Sequence, residues 1–97
     1  DGLIPTIAQE KSTNEILMMA YSNKNSIEMT VKTKKAHFWS RSKKKLWLKG
    51  ETSGNKLNIT NIYTDCDSDA LIYEVELEGI GACHTGKKSC FYKKLEL

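Results

Sequence analysis

Three aspartates within five residues, Asp65-Cys66-Asp67-Ser68-Asp69, are the densest chemistry in the chain. Carboxylates this close repel one another unless a cation neutralises them, and oxygen-only ligation suits Mg²⁺ or Ca²⁺. In an extended backbone the side chains alternate faces, so Asp65, Asp67 and Asp69 project to one side and Cys66 to the other. A thiolate suits zinc, so one pentapeptide could serve two different metals, one on each face. A solvated acidic turn that holds no metal is the plainer alternative. D-x-D-x-D also opens a calcium loop of the EF-hand type, and Glu76 falls at its twelfth position. Ala70 stands where that loop requires glycine, and the following LIYEVE is strand-like, which argues against it.

The second cluster is Cys83-His84-Thr85-Gly86-Lys87-Lys88-Ser89-Cys90. The two cysteines are too far apart for the tight C-x₂₋₄-C knuckle of ordinary zinc fingers. Cys66 supplies a third thiolate, and His84 could supply either a fourth ligand or a base. Three protein ligands with an open position describe catalytic zinc, whereas Cys₃His closed around the metal describes a structural site. Adjacent side chains point apart in extended chain, which favours His84 being free for proton transfer. His37, inside the apolar run AHFW, reads as a core histidine.

The third segment runs from Phe38 to Asn55, FWSRSKKKLWLKGETSGN. Arg41 is the single arginine among fifteen basic residues, and Ser40 and Ser42 flank it. A glycine and hydroxyl loop follows, carrying Lys49, Glu51, Thr52, Ser53, Gly54 and Asn55. Guanidinium, hydroxyls and exposed backbone N–H groups together suit phosphate oxygens, so these residues are the candidate substrate-binding set. Lys43, Lys44 and Lys45 read as a solvated turn. Trp39 and Trp47 read as core, although a nucleobase could stack on either.

The elements that must carry these clusters follow from apolar runs and turn residues. Residues 4–9 and 16–21 read as two strands joined by the polar turn EKSTN. Ser22-Asn23 offers a helix N-cap, and Ile27, Val31 and Thr30 follow at helical spacing to about residue 33. Residues 36–40 and 46–48 read as strands around the basic turn, 50–55 as a loop, and 57–63 and 70–77 as two further strands. Six short strands and one helix predict an α+β domain with a mainly antiparallel sheet. The whole chain, 1–97, reads as one domain, with no repeat or composition shift. A domain of this length buries only about two thirds of its unfolded surface, so a metal or a partner subunit is a reasonable source of extra stability.

Hydrophobic residues make up 39% and charged residues 28%, which excludes a disordered chain. No apolar run approaches the length of a membrane span, and no signal-peptide pattern opens the sequence. The net charge of +3 is weak support for nucleic acid. An odd cysteine count with no sign of secretion predicts a reducing, cytoplasmic setting in which thiolates are available to a metal.

These segments, in this order, resemble the phosphoribosyl-AMP cyclohydrolase family, which acts at the third step of histidine biosynthesis. The matching stretches are Gly2-Leu-Ile-Pro5, Ile16-Leu-Met-Met-Ala-Tyr21, Phe38-Trp-Ser-Arg-Ser42, Leu46-Trp47, Lys49-Gly-Glu-Thr-Ser-Gly-Asn55, Asp65-Cys-Asp-Ser-Asp-Ala70, Ala82-Cys-His-Thr-Gly86 and Ser89-Cys-Phe91. The resemblance implies one zinc per subunit at Cys66, Cys83 and Cys90, with Cys66 contributed by the opposite subunit of an intertwined homodimer. It implies magnesium at Asp65, Asp67 and Asp69, and His84 as the proton-transfer group near the zinc. Lys34-Lys35 stands where a glycine is common after the helix. Some family members carry a fused pyrophosphohydrolase domain, and 97 residues are expected to hold only the first domain.

The implied reaction opens the six-membered ring of an N1-ribosylated adenine nucleotide between N1 and C6, giving the phosphoribosylformimino-AICAR nucleotide. Zinc would activate water for attack at C6, as in nucleobase deaminases, with a magnesium-assisted site and Arg41 meeting the two phosphates. The implied partners are a small-molecule nucleotide and a second copy of the chain, with neither nucleic acid nor membrane. Two rival readings remain from the residues alone. One is a zinc-stabilised basic module that binds nucleic acid, and the other is a structural Cys₃His domain that mediates dimerisation.

Overall fold

Extended backbone along Ile4–Glu10 (β1) turns Thr6, Ala8 and Glu10 to one buried face, as a period of two requires. The turn after it, closed at Asn14 with φ +62°, reverses the chain into Ile16–Ser22 (β2). The two strands pair antiparallel from Ile4 opposite Ser22 to Gln9 opposite Ile16, with a bulge at Ala8/Gln9. The computed structural model describes residues 2–97.

Asn23 caps the helix Lys24–Thr33 (α1) in a reciprocal box with Ser26: the Ser26 N–H donates to Asn23 Oδ1, and the Asn23 N–H donates to Ser26 Oγ, both at 2.9 Å. Its buried face differs from the expected one. Ser26 and Thr30 are fully buried and Ile27 half-buried, while Val31 is 49% exposed. The polar face survives burial because Thr30 Oγ1 donates to the Ser26 carbonyl at 2.7 Å and accepts the His37 N–H at 2.9 Å. Lys34 ends the helix in the left-handed conformation, φ +62°, which explains why glycine suits this position.

His37–Ser40 (β3) and Lys45–Leu48 (β4) form a separate two-stranded antiparallel sheet around the basic turn. Leu57–Thr64 (β5) and Leu71–Leu77 (β6) form an antiparallel hairpin. β6 then pairs parallel with β1, from Thr6 opposite Leu71 to Glu10 opposite Val75, giving the strand order β2-β1-β6-β5. The architecture is α+β with antiparallel pairing everywhere except between β1 and β6. Helix α1 packs against β2, β3 and β4. Leu17, Phe38, Leu57, Tyr73 and Val75 fill the core between the sheets, with Phe38 and Tyr73 rings 5.5 Å apart. His37 sits in this core as expected, its Nδ1 2.8 Å from the Lys35 carbonyl. Among the described residues, no helix is long and apolar enough to cross a membrane. Beyond β6, residues 78–97 carry no regular element.

Candidate functional site

The acidic cluster is the loop of the β5–β6 hairpin, a turn and not the extended run expected for it. Ser68 takes the left-handed conformation, φ +61°, while the Asp65 N–H donates to the Ala70 carbonyl at 3.2 Å. Asp65 Oδ1 accepts the backbone N–H groups of Asp69 at 2.9 Å and Ala70 at 3.2 Å. This curl, not face alternation, brings carboxylate oxygens of Asp65, Asp67 and Asp69 within 4.8 Å of one another, all exposed. Hydrogen bonding with the Asp69 carboxyl holds Asp65 below its ordinary value, and Asp65 and Asp67 in turn push Asp69 up. Three carboxylates gathered this closely match a hard divalent cation in charge and in donor type.

Cys83 and Cys90 meet in a second place. The chain after β6 folds back on itself, with the Cys83 N–H donating to the Lys87 carbonyl at 3.2 Å. The Cys90 N–H donates to the Leu17 carbonyl at 2.7 Å and Ser89 Oγ to the Ile16 carbonyl at 2.6 Å, which fastens the end of the loop to β2. Lys88 adds an ion pair to Glu10 at 2.6 Å and to Glu15 at 3.2 Å. The two cysteines, His84 and Thr85 line a cavity of about 360 Å³ with Phe91 and Tyr92. The Thr85 hydroxyl, 3.0 Å from Cys83 Sγ, holds the Cys83 thiol below its ordinary value. Burial pushes the Cys90 thiol up, and the nearby Cys83 acts in the same direction. Thr85 is a contributor that the spacing of cysteines alone does not flag.

Cys66 is exposed in the acidic turn and lies outside this cavity. Among the described residues, Asp65, Asp67 and Asp69 are the only group of three or more metal-ligating side chains brought together within one chain. Two thiols with a histidine beside them fit a soft ion in donor type, and one chain gathers two of the three cysteines.

The third candidate segment lines a cavity of about 560 Å³. Ser40, Glu51, Thr52 and Ser53 border it, as do Tyr21, Trp39 and Trp47. The tryptophans, expected in the core, are half-buried: Trp47 leans on Phe38 with ring centroids 5.2 Å apart and leaves an edge on the cleft. Arg41 borders an adjoining hollow with Trp39 and Lys44, and its guanidinium lies 4.0 Å from the centre of the Tyr21 ring. This contact fixes the arginine beside the cleft. Tyr21 ends one of the stretches that carry the family resemblance, but its residue type alone does not single it out for this contact. Ser42 Oγ is 3.5 Å from Ser40 Oγ, and Lys43, Lys44 and Lys45 are exposed as expected for a solvated turn. Gly54 closes the loop by donating its N–H to the Gly50 carbonyl at 2.8 Å. Lys49 Nζ donates to the Ala82 carbonyl, and Asn55 Oδ1 accepts the Ile80 N–H at 3.1 Å.

A family model described as phosphoribosyl-AMP cyclohydrolase matches residues 18–92 of the chain. The chain is 59% identical to the phosphoribosyl-AMP cyclohydrolase of Archaeoglobus fulgidus over 98% of its own length and 87% of that relative. It is 54% identical to the protein of the same name from Nitrosopumilus maritimus, again over 98% of this chain and 87% of the relative. It is also 50% identical, over 99% of its length, to a histidine biosynthesis bifunctional protein of Aquifex aeolicus, of which it spans 47%.

Proposed function

The chain belongs to the phosphoribosyl-AMP cyclohydrolase family, and from that premise we propose that it hydrolyses the N1–C6 bond of phosphoribosyl-AMP in histidine biosynthesis. The observation that carries the reading is the pair Cys83 and Cys90 opening with His84 onto one cavity. Cys83, Cys90 and Cys66 of a second copy would hold one zinc per subunit. When bound, zinc supplies the Lewis acidity that makes water nucleophilic at neutral pH. Asp65, Asp67 and Asp69 would hold magnesium, whose charge assists binding of a phosphorylated substrate.

The protein's own groups do the rest. Water attacks C6, the C6–N1 bond breaks, and the exocyclic nitrogen stays behind on C6 as a carboxamide. His84 moves a proton from the attacking water to N1, a transfer that suits an imidazole near neutral pH. Arg41, oriented by Tyr21, and the hydroxyls of Ser40, Ser42, Thr52 and Ser53 meet phosphate and ribose oxygens. The backbone at Gly50 and Glu51 completes that wall, and Trp39 and Trp47 form its apolar side.

Large apolar side chains left exposed in the segment after β6 support the homodimer: Phe91 is 63% exposed, Ile80 75% and Leu95 83%. Three free cysteines suit a reducing compartment such as the cytoplasm. The test is an absorbance assay of ring opening on phosphoribosyl-AMP. Turnover should vanish with a zinc chelator and return with zinc. A zinc-loaded dimer that leaves the substrate intact would overturn the reading.

A further inference from the structure

The loop 49–55 faces the cleft, yet its two polar ends reach away from it. Lys49 Nζ donates to the Ala82 carbonyl, next to Cys83, and Asn55 Oδ1 accepts the Ile80 N–H at 3.1 Å. Gly79 accommodates the amide: φ is +98°, and a Cβ there would lie 2.0 Å from Asn55 Oδ1. A Cβ at Gly50 would lie 2.4 Å from the Asn55 backbone, so the two ends of the loop are also pressed together. Between them, Gly50 to Ser53 line the cleft. Two side chains therefore tie the wall of one cavity to the four residues that lead into the other.

We propose that Lys49 and Asn55 are positioning residues, a clasp that sets the distance between the substrate loop and the Cys83–His84 segment. The proposal rests on the cyclohydrolase reading and deepens it. A nucleotide spanning both cavities has its phosphates held in one and its ring opened in the other. A small misplacement between them is costly, because reacting atoms must approach to about 3–3.5 Å.

Asn55→Ala and Asn55→Asp separate the clasp from direct substrate contact. Aspartate keeps an acceptor for the Ile80 N–H and adds a negative charge that a substrate phosphate would repel. The clasp predicts that Asn55→Ala lowers kcat by about 10-fold to 100-fold, the range seen when an outer supporting partner is lost. Zinc content should stay near normal, and Asn55→Asp should restore most of the loss. A substrate ligand predicts the reverse order, with aspartate no better than alanine and the loss falling on KM. That outcome overturns the proposal.

Hydrogen exchange at the Ile80 amide, read without substrate, gives a second measurement. Protection should fall in Asn55→Ala and persist in Asn55→Asp; unchanged protection in the alanine variant overturns the clasp. This readout decides the matter even if the wild-type chain turns over no substrate, which would sink the cyclohydrolase reading alone. Asn55→Ser, whose hydroxyl falls short of the amide, serves if the alanine variant does not fold.

Discussion

The acidic turn and the cysteine loop are built on opposite plans. Asp65, Asp67 and Asp69 come from one hairpin loop, and hydrogen bonds inside that loop bring their oxygens together. Cys83 and Cys90 also lie close in sequence, but what holds Cys90 in place is distant: the carbonyls of Ile16 and Leu17 and the carboxylate of Glu10. The first group is complete within one chain and exposed. The second is half-enclosed and gathers two thiols, while the remaining cysteine sits in the acidic turn. A local group of hard donors needs only its hairpin. A long-range group of soft donors depends on the whole fold and, in the proposed dimer, on a second chain. The two should therefore fail separately, with Cys66 as the one residue that belongs to both segments.

The largest effect should come from breaking that link. Cys66→Ser is expected to remove zinc, dimer and turnover together, with zinc affinity down by more than the about 10-fold to 100-fold that loss of an outer partner costs. Native mass spectrometry with zinc counted per chain checks this, and a zinc-loaded monomer of the wild type would refute the shared site. His84→Ala comes next. If His84 is the proton carrier, turnover falls by about 10²–10⁴ while zinc content and melting temperature hold. Joint loss of metal and stability would instead make it a fourth ligand.

Much of this plan is legible in the residues, and the limits have physical causes. Strand and helix positions could be read because each is bounded by local chemistry, such as the Asn23 cap and the polar turn before β2. The parallel pairing of β1 with β6 leaves no local trace, since no residue in either strand announces a partner so far along the chain. The buried face of α1 was obscure for another reason. A search for apolar periodicity selects Val31, whereas burial goes to Ser26 and Thr30, whose hydroxyls are satisfied by carbonyls and an amide. The acidic cluster is plain as composition, but its curl depends on Ser68 at positive φ, a position that few non-glycine residues occupy. Lys49 and Asn55 read as substrate groups by type, and only the fold reveals their main-chain partners, Ala82 and Ile80, in the segment after β6.

A smaller effect should separate the two metals. Asp67→Asn is expected to cut magnesium-dependent turnover by at least about 10-fold, the least that losing even an outer partner costs, and leave zinc per chain near normal, because oxygen donors and thiolates select different ions. Metal analysis and turnover measured on one preparation decide it. Equal loss of zinc would mean that the acidic turn and the thiols form a single site, and the contrast between the two regions would collapse.

The smallest effect concerns the anchor of the cysteine loop, and it appears only in acid. The Lys88 ammonium, 2.6 Å from the buried Glu10, holds the Glu10 carboxyl below its ordinary value of 4.5, and the Thr13 hydroxyl adds to the shift. A carboxyl whose value is depressed on folding contributes stability that is present above the unfolded value and lost as pH falls through the folded one. Melting temperature should therefore drop more steeply below about pH 4.5 in the wild type than in Glu10→Gln. Near neutral pH the variant should melt lower by no more than about 4–8 °C. The cysteine loop, and not the acidic turn, should register the change: hydrogen exchange at the Cys90 amide rises in Glu10→Gln, while amides of Asp69 and Ala70 keep their protection. If the acid limbs of the two proteins overlay, Ser89 and the Cys90 amide alone fasten the loop to β2, and the ion pair is only surface decoration.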